Sequence, residues 1–397
     1  MPFLLSFCLI LALIHKVFEH NFTTYDGINY GFVPEPHGRG SFNILWTCLT
    51  ILFLCTWTIQ HLNIPNSKDS RLKKLLRKVG WMIFTAIAPE YTTVNALYQY
   101  VQARRSVAAV KAQFGYEWWT MMHTYYALMG GLVVQSADGT QYGFTWIDLR
   151  WLWQNNVIDL SDMERKDIKD RIKADAMAKG FACAQAAWFL IQNIGRLFQR
   201  LPFATLEMSI IPLIGSTFLT YFFYWEQPLD LETTTTIMVP AITETHLAQL
   251  GARDPMWDQR LTAEQFKAQR IPNEFSTDQY DYEAEKYHTT NLEGLLMGLV
   301  GILLCAFHMA AWNFNFPTYA ECILWRVCAS CAVGSLVLIL LTMPFPKWFR
   351  WPFMFLLMAV HILSRLFILV ELFVGLRSLP PGVFDTIDWS LYIPLLV

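Results

Sequence analysis

A set of ionisable side chains lies within apolar stretches of this sequence, where a charge is costly. The set comprises Glu90, His123, Arg196, Glu207, His308, Arg326, His361 and Arg365. In a bilayer such residues face a protein interior or a wet cavity, and they often mark functional sites. Apolar surroundings keep a carboxyl group partly protonated, and such an acid could protonate an olefin or an epoxide. Aromatic residues make up 15% of the chain, and their rings could stabilise the resulting cation.

Glu90, Glu207 and His123 are therefore the candidate catalytic residues. His361 and Arg365 are candidate substrate-binding residues, because a spacing of four places both on one face of a helix. A second interpretation stays open, in which Glu90 and Glu207 pair with Arg365, Arg196 or His123 and only hold helices together.

The sequence predicts no metal site and no cofactor. Acidic residues between 159 and 170 lie three or four apart, as in a magnesium site, but Lys and Arg residues interleave with them. This pattern is typical of a solvated helix. Cys328 and Cys331 have metal-like spacing without a nearby cluster of His or carboxylates. The formal net charge of -2 argues against nucleic-acid binding, which requires a basic surface.

Long apolar segments must position these residues. Each strong segment is long enough to cross a bilayer, for which about 20 residues suffice, and backbone amides in lipid must satisfy their hydrogen bonds within a helix. The strong segments are residues 42–64, 203–224, 293–312, 322–343 and 352–376. The predicted fold class is all-α, a polytopic bundle of transmembrane helices.

Three weaker segments with polar interruptions, 80–100, 118–135 and 181–201, bring the prediction to about eight spans. With the N-terminus outside, this arrangement places most Lys and Arg residues in the cytosol, as the positive-inside rule requires. The alternative is that 80–100 is re-entrant. With the other spans kept, that alternative would put the basic segment 136–180 outside, so the eight-span arrangement is favoured.

The segments outside the spans complete the predicted organisation. Asn21 begins the sequon Asn-Phe-Thr and is a predicted glycosylation site. The predicted organisation is a signal peptide or short signal-anchor (1–20), a luminal loop (21–41), three spans (42–135), a cytosolic Trp-rich segment with an amphipathic helix (136–180), a two-span hairpin (181–224), an acidic cytosolic loop with short helices near 244–250 and 261–268 (225–292), three spans (293–376) and a tail (377–397).

Five short motifs stand along the chain, each of them once: Glu35-Pro-His-Gly-Arg-Gly40, His61-Leu-Asn-Ile-Pro65, Ala88-Pro-Glu90, Thr205-Leu-Glu207 and Trp225-Glu-Gln-Pro-Leu-Asp230. Over roughly residues 30–376 the chain resembles a large group of filamentous-fungal multi-pass membrane proteins without an assigned biochemical role. The resemblance implies a fungal origin and a place among secondary-metabolite genes. It also adds Asn63, as a member of the shared pattern, to the candidate substrate-binding residues.

The leading functional hypothesis is a membrane-embedded protein of fungal, isoprenoid-type secondary metabolism, with an acid-initiated cyclase or isomerase as its most concrete form. One alternative is a transporter or channel for a small lipophilic or ionic solute. Another is a non-catalytic scaffold for other membrane enzymes. The expected partners are the bilayer, a small lipophilic substrate and other membrane enzymes, and the expected location is the endoplasmic reticulum or another secretory-pathway membrane.

Overall fold

The protein is mostly helical, with a bundle of long helices beside a small mixed domain. The computed structural model describes residues 33, 39–65, 69–144, 146–160, 165–231, 234–251 and 289–391. The predicted signal segment 1–20, Asn21 and the predicted helix near 261–268 lie outside these residues. In chain order the described helices and strands are α1 (Ser41–Trp57), α2 (Arg71–Ile87), α3 (Pro89–Phe114), α4 (Met121–Leu128), β1 (Leu132–Ser136), β2 (Gln141–Gly143), α5 (Trp146–Gln154), α6 (Arg165–Phe198), α7 (Thr205–Phe223), β3 (Thr235–Val239), α8 (Glu244–Gly251), α9 (Thr289–Ala310), α10 (Tyr319–Thr342) and α11 (Lys347–Val374).

Four described helices, α7, α9, α10 and α11, are long and apolar enough to cross a membrane. They coincide with four of the five strong segments of the sequence, so the prediction of a membrane protein is supported. The fifth segment forms α1, which is apolar but only 17 residues long. Large apolar side chains such as Phe355 (66% exposed) and Leu363 (66% exposed) on α11 point away from the protein, as they would towards lipid.

The predicted span at 80–100 is instead a pair of helices, α2 and α3, which meet at Ala88. Pro89 causes this break, because proline disfavours the helical conformation of the residue before it and removes a hydrogen-bond donor. Ala88 accordingly has φ -132° and ψ 65°. The two helices fold back beside each other, since the Oγ1 atoms of Thr85 and Thr92 lie 3.0 Å apart. We call α2 and α3 together the helical hairpin.

The open end of the helical hairpin lies at the end of α1. Gln60 Nε2 donates to Thr85 Oγ1 at 2.7 Å, and Arg77 Nη2 donates to the carbonyl of Asn63 at 3.0 Å. The tip of the hairpin lies deep in the bundle, against the middle of α9. A Cβ placed on Gly301 would lie 3.3 Å from Cγ of Glu90.

The prediction that 118–135 crosses the membrane is wrong. This segment forms α4, of only eight residues, and then strand β1. At 1.5 Å per residue α4 is about 12 Å long, far less than the bilayer core of about 30 Å. Gly130, with φ 81°, ends the helix, and a Cβ on Gly131 would lie 2.5 Å from the ring of Tyr126. Apolar composition alone therefore gave a false span.

A three-stranded sheet of order β2-β1-β3 corrects the all-α prediction. Strands β1 and β2 form an antiparallel hairpin, with Val134 opposite Tyr142. Strand β3 lies parallel to β1, with Val134 opposite Ile237. The segment predicted as the acidic loop 225–292 thus contributes a strand. It also contributes α8, which confirms the helix predicted near 244–250.

Aromatic side chains form the core of the mixed domain, which comprises residues 115–160 and 224–251. Trp119 and Trp146 are stacked with ring centroids 4.9 Å apart, and both are buried. Their indole N–H groups donate to Thr124 and Ser106 at 2.8 Å. Burial raises the pKa of Tyr125, so its hydroxyl stays protonated and donates to the carbonyl of Phe223 at 2.8 Å. This bond ties the domain to the end of α7.

Residues 181–201, predicted as a separate span, lie mainly in the second half of α6, a continuous helix of 34 residues. Phe181 and Phe198 expose 62% and 72% of their surface on this half. The buried Lys179 donates to the carbonyls of Tyr224 (2.7 Å) and Gln227 (2.8 Å). This lysine joins α6 to the chain that leaves α7, where the orphan carbonyls of a helix end need donors.

Small residues allow α9 to approach its neighbours closely. A Cβ on Gly298 would lie 2.5 Å from Leu340 of α10, and one on Gly301 would lie 2.8 Å from Leu336 of the same helix. Close backbone approach at glycine is the usual way in which membrane helices pack. Both glycines therefore lie at the α9–α10 contact.

We expect Gly301→Val to destabilise the protein by about 1–3 kcal/mol, because overpacking forces neighbouring groups to shift. The matched control is Gly334→Ala on α10, where nothing lies within 4 Å of the added Cβ. Unfolding of both purified variants in detergent micelles would measure the difference. Equal stability of the two variants would contradict the close packing at Gly301.

Candidate functional site

The candidate site lies at the tip of the helical hairpin, where Glu90 occupies the first turn of α3. Pro89 precedes it at the first helical position, which suits a residue without an N–H donor. The N-terminus of a helix carries a partial positive charge, and this favours a carboxylate there. Only 5% of Glu90 is exposed. The break in the hairpin thus creates a place for one buried acid.

Glu90 has two cationic or potentially cationic neighbours, both on α11. Its Oε2 lies 3.7 Å from Nη2 of Arg365, and its Oε1 lies 3.6 Å from Nε2 of His361. These distances are those of ion-pair contacts and are too long for hydrogen bonds. The prediction that His361 and Arg365 share a face is confirmed, and the interpretation that Glu90 pairs with Arg365 is correct.

Arg365 also fixes the hairpin tip. Its Nε donates to the carbonyl of Ile87 at 2.8 Å, at the end of α2. This carbonyl belongs to the last turn of α2, where carbonyls lack helical partners. Its Nη1 lies 3.7 Å from Sγ of Cys305 on α9. One guanidinium group therefore contacts both arms of the hairpin and α9.

His361 is oriented by α10. Its Nδ1 lies 3.1 Å from the carbonyl of Ala332 and 3.3 Å from Oγ of Ser335. The carbonyl can only accept, so we assign the proton of the ring to Nδ1. In the neutral ring Nε2 then has no proton and faces the carboxylate. One additional proton could bind to Nε2, and a small approach of the two side chains from 3.6 Å would then allow its transfer to Oε1 of Glu90.

Polar groups surround the first turns of α3 on its other sides too. Thr93 Oγ1 lies 2.5 Å from Oγ of Ser216 and 3.1 Å from Oγ1 of Thr220, both on α7. Thr92 faces Thr85 and the bonded Gln60. The first turns of α3 therefore have polar neighbours on α2 and α7 as well as on α11.

An apolar cavity of about 50 Å³ adjoins this cluster. Pro89, His308 and Arg365 supply part of its wall, and apolar side chains of α1, α7 and α11 supply most of the rest, among them Leu52, Leu213 and Leu372. Drug-sized ligands occupy roughly 300–1,000 Å³. The cavity is therefore large enough for a few solvent molecules and smaller than a terpenoid.

Glu207, predicted to act with Glu90, has a different environment. It lies in the first turn of α7, where Oε2 accepts from the N–H of Ala204 at 3.1 Å and Oε1 pairs with Arg39. Arg39 also donates to the carbonyl of Val383 at 3.2 Å. The carboxylate thus caps a helix and joins α1, α7 and the C-terminal tail, which accounts for its burial.

The remaining sequence candidates are spread through the structure. His123 Nδ1 lies 2.9 Å from Oγ1 of Thr120, in a capping box at the start of α4. Its ring lies between Trp118 and Trp119, in the aromatic core of the mixed domain. Asn63 lines two cavities at the open end of the helical hairpin. Sequence reasoning missed Ser335 and the carbonyl of Ile87, because neither carries a charge that would mark it in an apolar helix.

Residues 10–256 match the model of DUF8562, a family of unknown function. The chain belongs to this family. The match contains Glu90 and the helical hairpin, whereas His361 and Arg365 follow it in the chain. No curated protein matches the chain, and no solved structure does. Within this DUF8562 protein, the candidate site is thus assembled from the family region and the C-terminal helices.

We expect a large coupling free energy between Arg39 and Glu207, about 2–3 kcal/mol, because each would leave a poorly solvated charge if the other were removed. A double-mutant cycle with Arg39→Met and Glu207→Gln would measure it by unfolding in micelles. Lys111 and Glu117 form the control pair, with side chains 62% and 79% exposed, where coupling stays below about 1 kcal/mol. Equal coupling in the two cycles would disprove the structural role of Glu207.

Proposed function

We propose that this protein is a proton-coupled transporter of a small solute, in which Glu90 and His361 exchange a proton at the centre of the membrane. The supporting observation is the buried contact of Glu90 with His361 and Arg365 at the tip of the helical hairpin. Ionisable groups at membrane depth commonly form proton relays in transporters, and their binding sites commonly lie at broken helices.

The depth of the cluster supports this proposal. Gly301, Ser335 and His361 contact Glu90 or each other. They lie near the middle of α9, α10 and α11, which are long enough to cross a bilayer. Glu90 would therefore lie about halfway across the membrane, where neither aqueous side can solvate its charge.

The contacts also support a topology different from that of eight spans. We infer six crossings, formed by α1, α6, α7, α9, α10 and α11, with the helical hairpin re-entering from one side. Because 118–135 is not a span, the re-entrant hairpin leaves segment 136–180 on the cytosolic side. The loss of the crossing at 80–100 and the loss of the crossing at 118–135 together leave the later segments on the same side of the membrane as before. The mixed domain then lies beside the open end of the hairpin.

The distribution of basic residues fits this topology. Arg104, Arg105 and Lys111, which the eight-span arrangement puts outside, join the other basic segments in the cytosol. The outer side keeps only a few basic residues, such as Arg39, Arg196 and Arg200. This asymmetry agrees better with the positive-inside rule than the eight-span arrangement does.

Glu117 distinguishes the two topologies, because it would be cytosolic in the six-crossing arrangement and luminal in the eight-span arrangement. We expect Glu117→Cys to react with a membrane-impermeant maleimide from the same side as Asp138→Cys, in vesicles of known orientation. The control is Arg200→Cys, which both arrangements place on the opposite side. Labelling of Glu117→Cys together with Arg200→Cys would refute the re-entrant hairpin.

The proposed chemistry uses Arg365 as the fixed charge and the Glu90–His361 pair as the mobile one. With the pair deprotonated, the carboxylate of Glu90 is balanced by Arg365. A proton on Nε2 of His361 adds a positive charge that the same carboxylate attracts. Proton binding would thereby change the attraction between α3 and α11, and the break at Ala88 and Pro89 provides a hinge for the resulting movement.

We expect Glu90→Gln to reduce proton flux at least tenfold, because the amide cannot exchange a proton. Proteoliposomes that contain a pH-sensitive dye would measure the flux under a potassium diffusion potential. Glu117→Gln is the matched control, since this carboxylate is exposed and lies outside the cluster. Wild-type flux in Glu90→Gln would reject the role of Glu90 in proton transfer.

The second candidate is the acid-initiated cyclase or isomerase. The apolar cavity beside His308 and Arg365 favours it, because a lipophilic substrate could enter from the bilayer if the cavity widened. In this case the acid would be the Glu90–His361 pair, since Glu207 already pairs with Arg39. A scaffold for other membrane enzymes, docked through segment 225–292, is a further proposal that rests on the sequence.

We also propose a role in fungal secondary metabolism, a location in a secretory-pathway membrane and glycosylation at Asn21. These proposals rest on the sequence alone.

Deletion of the gene with metabolite profiling would separate the transporter from the cyclase or isomerase. An exporter leaves its product trapped in the cells, whereas a cyclase or isomerase leaves the product missing and its precursor accumulated.

A further inference from the structure

The geometry points to a binding site for the phosphate group of an anionic lipid, at the open end of the helical hairpin. A cavity of about 260 Å³ lies there between the end of α1, the first turns of α2 and the chain after α7. Its wall includes Trp57, Leu62, Lys74, Arg77, Lys78 and Asp230. The site is separate from the cluster around Glu90 and does not depend on the proposed transport.

The cavity is basic. Among its described lining residues three are cationic, Lys74, Arg77 and Lys78, and one is anionic, Asp230. Lys78 Nζ lies 2.5 Å from Oδ2 of Asp230 and 4.6 Å from the ring centroid of Trp57. Asp230 therefore pairs with Lys78, and the described lining residues include more cationic than anionic side chains.

Arg77 has donors that the described protein does not use. Its Nη2 donates to the carbonyl of Asn63 at 3.0 Å, which fixes the guanidinium plane at the cavity. Its Nε and Nη1 are buried and have no hydrogen-bond partner among the described residues. Buried donors are nearly always satisfied in proteins, and a guanidinium group binds the oxygens of a phosphate through two parallel bonds. Nε–H and Nη1–H point away from different edges of the guanidinium plane, so after a small rotation of the side chain a phosphate in the cavity would accept from one of them.

The position of α2 identifies a lipid as the source of the phosphate. Leu72, Leu75 and Leu76 expose 64%, 49% and 60% of their surface on this helix, beside a run of basic residues. A basic helix with an exposed apolar face lies at the membrane surface, where it attracts anionic lipids. Trp57 at the end of α1 has the position typical of interfacial tryptophan. Acyl chains could thus lie on the leucines while the phosphate enters the cavity.

Binding of the detergent-purified full chain to phosphatidic acid, measured by native mass spectrometry against phosphatidylcholine, tests this site. We expect phosphatidic acid to bind at least tenfold more tightly. Each basic residue near a membrane surface contributes a free energy of about 1 kcal/mol to the binding of anionic lipid. Arg77→Gln should therefore weaken the binding of phosphatidic acid about fivefold. The matched control is Arg71→Gln, an exposed cation on the same helix outside the cavity wall, which should bind as the wild type does.

Equal binding of the two lipids, or equal weakening in Arg71→Gln and Arg77→Gln, would overturn the proposal. Displacement of phosphatidic acid by an equal concentration of inorganic phosphate would assign the site to a free anion and would also overturn it. If Arg77→Gln does not fold, Lys74→Gln takes its place with the same expectation. Proton flux of the wild type is measured separately, so failure of the lipid site and failure of the proposed transport are distinguishable.

Discussion

The contact between Glu90 and Arg365 is the interaction on which the centre of this protein depends. A carboxylate that is removed from water costs several kcal/mol unless a cation and hydrogen-bond donors compensate for it. Here the compensating cation, Arg365, comes from α11, which is distant in sequence. The N-terminus of α3, which begins at Pro89, supplies a partial positive charge. The same guanidinium holds the carbonyl of Ile87. Arg365 therefore compensates the charge of Glu90 and satisfies a backbone carbonyl at the break in the helical hairpin.

Two of the buried carboxylates, those of Glu90 and Glu207, illustrate how environment separates similar residues. Glu207 is bound by Arg39 and by a backbone N–H at the end of the bundle, and its contacts are those of a structural cap. Glu90 has longer ion contacts, a histidine neighbour and a helix break beside it. Tightly satisfied polar groups rigidify a structure, whereas a loosely satisfied group in a low dielectric is free to exchange a partner or a proton. This difference is why we assign function to one of them only.

The helical hairpin also connects the two regions of interest. Its tip carries Glu90, and its open end carries Arg77 beside a basic cavity at the expected level of the lipid head groups. The mixed domain packs beside that open end, through the bond from Ile64 to Met129 (2.9 Å) and the pair of Lys78 and Asp230.

Hydrophobicity along the chain determined α7, α9, α10 and α11, the four described helices that are long and apolar enough to cross a membrane, because lipid allows an apolar stretch of this length only as a helix. The spacing of His361 and Arg365 likewise determined that they share a face. The sequence could not show that 118–135 forms a short helix and a strand, because a buried core and a bilayer select the same apolar residues. Only the tertiary structure decided which of the buried acids meets His361 and Arg365, since such contacts join residues more than 270 positions apart and depend on how the helices pack.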